Sequence, residues 1–199
     1  MPHIDYYFAT ISPYTYIAGT QLEEIAAKYG ATINYKPFDI MGVFGRTGGV
    51  PPGQRHISRQ EYRLMDLERQ ARKADLPINL KPTYWPTNPA PSSYAIIAAQ
   101  ATGQGDIGGL VHGMTRACWA EQKDIAQNDV IRAVLTEHGF DPDLADKDML
   151  SGAETYASNQ EHAVAAGVFG APFYVTDTDQ RFWGQDRLGD LDLTLAGKL

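Results

Sequence analysis

What this chain has little of narrows its chemistry first. It holds a single cysteine, Cys118, so it forms no intramolecular disulfide and carries neither a C-x-x-C redox motif nor a thiolate zinc site. Cations are outnumbered: 17 Lys and Arg stand against 24 Asp and Glu, a formal net charge of −7. That balance argues against a nucleic-acid partner or an anionic membrane surface. No apolar run approaches the roughly 20 residues needed to span a bilayer. The start, Met1-Pro2-His3-Ile4-Asp5, lacks the basic residues and long apolar stretch of a signal peptide. His3, His56, His112, His138 and His162 show no metal-ligand spacing, so no metal is expected. A reduced, cytoplasmic setting is the natural expectation.

What is present is a core-forming composition, 43% hydrophobic over 199 residues, enough for one domain or one domain with a large insertion. Ile4-Asp5-Tyr6-Tyr7-Phe8 is rich in strand-favouring aromatics. Over 14–29, Ile17, Leu22, Ile25, Ala26 and Tyr29 recur at helical spacing, and Gly30 supplies the stop. Residues 31–38 alternate as a second strand, giving a β-α-β opening with parallel strands. A loop rich in Gly and Pro is expected over 42–54 and a helix over 58–74. A Pro-rich connection over 80–91 carries Tyr84, Trp85 and Asn88. Further helices are predicted over 92–102, 109–122, 129–139 and 144–167. Residues 170–175 form an apolar run, 177–180 a turn and 181–184 a return strand. A last helix begins near Gln185-Asp186, with Leu188, Leu191 and Leu195 on one face. The chain is therefore α/β, with β-α-β and β-β-α halves and an all-helical insertion between them. This is a thioredoxin-like topology: residues 1–41 and 168–199 form the thioredoxin-like domain and 42–167 the inserted helical domain.

The junction of first strand and first helix reads Ser12-Pro13-Tyr14. Ser suits a helix N-cap and Pro the first helical position. The N–H groups that follow lack intrahelical partners and favour an anion. The hydroxyl of Ser12 can cap this helix or donate to a bound thiolate, and local sequence leaves both open. No G-x-S-x-G elbow surrounds it, which removes the usual hydrolase setting.

Three stretches, Ser12-Pro13-Tyr14, Phe169-Gly170-Ala171-Pro172 and Phe182-Trp183-Gly184-Gln185-Asp186-Arg187-Leu188, occur in an order and spacing that resemble the 2-hydroxychromene-2-carboxylate isomerases. These are related to kappa-class glutathione transferases and, more distantly, to DsbA-type oxidoreductases. The resemblance covers nearly the whole chain. It implies that Ser12 replaces the first redox cysteine and stabilises the thiolate of bound glutathione. It implies a cis bond at Pro172, so that Ala171 pairs with the cysteinyl unit of glutathione. Gln185 and Asp186 match a site for the γ-glutamyl end, and Trp183 a position at the cleft. Gln54 and Arg55 stand where these isomerases carry an Asn-Arg pair that contacts glutathione and the aromatic substrate, and Tyr84 matches a tyrosine of the substrate pocket. Phe44 aligns with a substrate-binding lysine, a departure from the pattern, for which nearby Arg46 offers a charge. Cys118 reads as a small core residue. The implied activity is a glutathione-dependent isomerisation coupled to ring opening of a small aromatic carboxylate, by a homodimer. A kappa-like transferase and a non-catalytic thioredoxin-like binding module are the rival expectations.

Overall fold

In the computed structural model, which describes residues 1–199, strand β1 (His3–Phe8) is covered on both faces. Ile4, Tyr6 and Phe8 enter one apolar core, while Tyr7 enters another with Phe38, Val43 and Phe173. A strand so enclosed belongs in the middle of a sheet. It pairs in parallel with β2 (Thr32–Pro37), from His3 opposite Thr32 to Phe8 opposite Pro37. On its other side it runs antiparallel to β3 (Phe173–Thr176), which pairs with β4 (Arg181–Trp183). The order β2-β1-β3-β4 is the thioredoxin-like sheet that the element order predicts.

The helix predicted over 14–29 is two helices, α1 (Pro13–Ala18) and α2 (Gln21–Tyr29). Gly19 separates them at φ +60, a left-handed backbone that glycine adopts without a Cβ penalty. The apolar period continues across the break, and so conceals it in the sequence. A second difference lies in the Gly/Pro stretch. Residues Ile40–Thr47 form helix α3, capped by the Asp39 carboxylate, which accepts from Met41 N–H at 2.9 Å. Ile40, Val43 and Phe44 on its inner side are buried, and this i, i+3, i+4 stripe outweighs the low helix propensity of Gly42 and Gly45. Gly48, at φ +77, ends it.

The remaining helices are α4 (Ile57–Lys73), α5 (Ala90–Ala101), α6 (Ile107–Trp119), α7 (Asn128–Glu137), α8 (Met149–Ala165) and α9 (Leu188–Leu195). The helix predicted over 144–167 starts later, at Met149. Residues Pro142–Ala145 form a separate 3-10 turn, and Asp148 takes a positive φ just before α8. Likewise a 3-10 turn, Gln185–Arg187, precedes α9. No helix is long and apolar enough to cross a membrane.

The larger core ignores the boundary between 1–41/168–199 and 42–167. Ile4, Tyr6 and Tyr174 from the sheet share it with Leu67, Met114 and Trp119 from the intervening helices. The helices between β2 and β3 are thus packed into the sheet's own core.

Candidate functional site

Ser12 lies where the chain leaves the middle strand, and several bonds fix its loop. Its N–H donates to Ala9 C=O at 2.9 Å. On the α5 side, the Thr10 hydroxyl accepts from the buried Ser92 hydroxyl at 2.9 Å. The Trp85 indole N–H donates to Ile11 C=O at 3.2 Å, bringing the 80–91 connection against this loop. Ser12 is then the N-cap of α1, its Oγ accepting from Thr15 N–H at 3.3 Å.

The same Oγ donates to Ala171 C=O at 3.3 Å, across 159 positions of sequence. The Ala171–Pro172 bond is cis, and the Ala171 N–H donates to no carbonyl. Ser12 therefore sits beside a bend, just before β3, in which an unpaired Ala171 N–H accompanies the carbonyl that the Ser12 hydroxyl meets. Pro172 C=O accepts from Gly184 N–H at 2.9 Å, which ties the turn carrying Gln185 and Asp186 to this segment. That turn also packs on α1. Asp186 is exposed, with only Arg187 nearby at 3.9 Å. Trp183 is 54% exposed and meets Phe169 edge-on at 4.9 Å. A Cβ on Gly170 would run into the Trp183 indole, so glycine is what lets the ring lie over the chain there. Beside β4, Arg181, Trp183, Arg187 and Asp190 border a recess of about 410 Å³, which Ser12 does not line.

The structure thus brings Ser12, Ala171, Pro172, Gln185 and Asp186 into one neighbourhood, with Trp183 at its rim. The residues expected on the substrate side are placed less uniformly. Arg55 is half-buried, donates from Nε to Val50 C=O at 2.8 Å, and lies 5.8 Å over the Phe44 ring. Phe44 is only 9% exposed and belongs to the second core, so it forms the apolar seat beneath Arg55. Gln54 is exposed in a 3-10 turn, and Tyr84 is 50% exposed beside Trp85. Arg46 does not offer the free charge expected from the loop: its guanidinium pairs with Glu161, at 3.0 Å for Nη2. Cys118 is buried, and burial pushes its thiol pKa up to about 12, so it is not a nucleophile at neutral pH.

Sequence reading missed a set of groups around Tyr14. The Tyr14 hydroxyl donates to Asp66 Oδ2 at 2.9 Å, and burial together with that carboxylate holds its pKa well above the usual phenol range. It stays protonated. Arg63, half-buried on α4, has its guanidinium 5.7 Å over the Trp85 ring. Burial lowers the pKa of Arg55 and of Arg63, and each is lowered further by a neighbouring arginine, Arg59 for the first and Arg55 for the second. The spacing 55, 59, 63 was visible in the sequence, but a charged helix face ordinarily means solvent.

Comparison with known proteins assigns the class of fold first. The family model described as DSBA-like thioredoxin domain matches residues 3–196. A 2-hydroxychromene-2-carboxylate isomerase from Sphingobium xenophagum is 32% identical over 95% of each chain. The solved structure of a 2-hydroxychromene-2-carboxylate isomerase superposes with a TM-score of 0.78 at 25% identity, covering 98% of this chain and 95% of the other. The chain belongs to the 2-hydroxychromene-2-carboxylate isomerase family, within the DsbA-like thioredoxin fold. Glutathione S-transferase kappa 1 from Caenorhabditis elegans is 35% identical over 42% of this chain and 37% of its own, which joins the isomerase family to a transferase one.

Proposed function

We propose that this protein is a glutathione-dependent isomerase of a small aromatic carboxylate of the 2-hydroxychromene-2-carboxylate type. The observation that carries the reading is the Ser12 hydroxyl, 3.3 Å from Ala171 C=O beside an unpaired Ala171 N–H. This donor set suits a cysteinyl peptide unit: Ala171 N–H and C=O pair with its backbone as a short β-bridge, and its sulfur lies at Ser12. Bound glutathione supplies a thiolate that adds reversibly to the substrate's conjugated system and is returned unchanged after rotation about the former double bond.

The chain's own groups then have separate tasks. In the free protein Ser12 donates its single hydroxyl proton to Ala171 C=O. On ligand binding the ligand's cysteinyl N–H takes over that carbonyl and frees the hydroxyl for the thiolate. Helix α1 is under two turns long, so the direct Ser12 hydrogen bond contributes more to lowering the thiol pKa than the helix dipole does. Gln185 and Asp186 orient the γ-glutamyl end, with Asp186 on its ammonium, and Trp183 closes that rim. Arg55 holds the substrate carboxylate, Gln54 and Tyr84 border the same pocket, and Phe44 supports Arg55 from below. With no cysteine at position 12, the protein brings no redox couple of its own.

Calorimetric titration with glutathione and with S-methylglutathione tests this. Both are expected to bind, glutathione more tightly and with proton release; binding of neither overturns the reading. The relation to a kappa-class transferase supports a second reading, conjugation to an electrophile. Glutathione consumed in step with product distinguishes that from isomerisation, in which its concentration stays constant.

A further inference from the structure

Arginines outside residues 55–69 all reach a carboxylate: Arg46, Arg72, Arg116, Arg132, Arg181 and Arg187 each form an ion pair. In a chain with more acids than bases this is the expected state. The four arginines within residues 55–69 form no ion pair: Arg59 and Arg69 are exposed, half-buried Arg55 donates to Val50 C=O, and half-buried Arg63 has no hydrogen-bond acceptor in the protein. The groups that act on Arg63 are the protonated Tyr14 phenol and the Arg55 guanidinium, with no carboxylate among them. The closest acidic side chain along its helix face, Asp66, is engaged instead by the Tyr14 hydroxyl at 2.9 Å and Gln70 Nε2 at 3.3 Å. A guanidinium partly withdrawn from water without a counter-ion costs free energy, of which the Trp85 ring offsets a part and a bound anion would offset more.

Its surroundings indicate which anion. The guanidinium lies on the Trp85 indole, 5.7 Å from the ring centre. That ring is held by its N–H bond to Ile11 C=O at 3.2 Å, one residue before Ser12, and by its 5.7 Å contact with the Trp119 ring. The site joins a fixed aromatic plate to a planar cationic fork, beside the candidate nucleophile-binding residue.

We propose that Arg63 is a second substrate-binding residue, which shares with Arg55 the carboxylate of a planar aromatic co-substrate whose ring lies beside Trp85. This supplies, from α4, a positive charge that Phe44 and the paired Arg46 do not. The proposal rests on the isomerase reading for its substrate class. The alternative source of the anion, a carboxylate of glutathione itself, is distinguished by the test.

The probe is 2-hydroxycinnamate, titrated calorimetrically into the full chain with and without saturating glutathione, with 2-hydroxycinnamamide as the uncharged control. Arg63→Gln is expected to weaken 2-hydroxycinnamate about 10- to 100-fold, to leave the amide unchanged, and to leave glutathione affinity within about twofold. Arg63→Lys is expected to fall between, because it keeps charge and loses the fork. Arg69→Gln, an exposed change on the same helix, is expected to match wild type. The proposal is overturned if wild type fails to bind 2-hydroxycinnamate at millimolar concentration, if Arg63→Gln binds it as wild type does, or if the loss falls on glutathione instead. Absence of glutathione binding with an intact Arg63-dependent carboxylate site would overturn the isomerase reading and leave this one standing.

Discussion

On the Ser12 side, short hydroxyls and an indole N–H meet main-chain carbonyls or one another. Ser12 Oγ meets Ala171 C=O, Pro172 C=O meets Gly184 N–H, and the loop between β1 and α1 is bound at Thr10 and Ile11. On the α4 side contacts run through long side chains: Arg55 over Phe44, Arg63 over Trp85, Tyr14 reaching Asp66. The first side draws largely on main-chain groups, held by turn geometry and by buried neighbours. The second uses groups that single substitutions remove. Damage to the first should therefore reach stability and ligand together, whereas damage to the second should reach the ligand alone.

The largest expected break is at Ser12. Ser12→Ala should lower turnover about 10- to 1000-fold through loss of one charge-assisted donor, and it also removes the cap of α1, costing roughly 0.5–2 kcal/mol. Ser12→Gly loses the same hydroxyl with a cap penalty of only about a few tenths of a kcal/mol. Equal rates in the two variants, with unequal melting temperatures, would show that the hydroxyl acts in chemistry; S-methylglutathione affinity should stay near wild type in both.

Next comes Gly184→Ala. Gly184 sits at φ +106, and an added Cβ would lie 2.6 Å from Asp186 Oδ1. The strain is of order 1–3 kcal/mol and falls on the bond to Pro172 C=O. Thermal melting and glutathione titration should both suffer; a variant with unchanged melting and unchanged affinity would sink the claim that this side is one connected backbone unit. Smallest is Arg55→Gln, expected to raise KM for the aromatic carboxylate about 10-fold while melting and glutathione affinity stay as in wild type. A fall in melting temperature there would erase the contrast between the two sides.

How much of this was legible in the sequence follows the same division. Sheet order was readable from the order of strands and helices, whereas the cis bond at Pro172 and the pairing of Ser12 with Ala171 were expected only through the family resemblance. Helix α3 was missed because its glycines were weighed without the Asp39 cap and the buried Ile40, Val43 and Phe44 stripe. The break at Gly19 was missed because one periodicity spans both helices. Charge partners were harder still: nothing local shows that Arg46 is taken by Glu161, 115 residues away, or that Tyr14 occupies Asp66 and leaves Arg63 without a counter-ion. Those are properties of pairs of distant residues, and no window of sequence contains them.

The apolar mass beneath α4 has a last consequence. Leu67 and Ala71 lie in the same cluster as Ile4, Tyr6 and Tyr174, so the wall bearing Arg63 is anchored to the sheet that positions Ser12. A change of ligand preference is then expected at the half-buried side chains of α4 that face Trp85, such as Arg63, with the mass beneath left undisturbed.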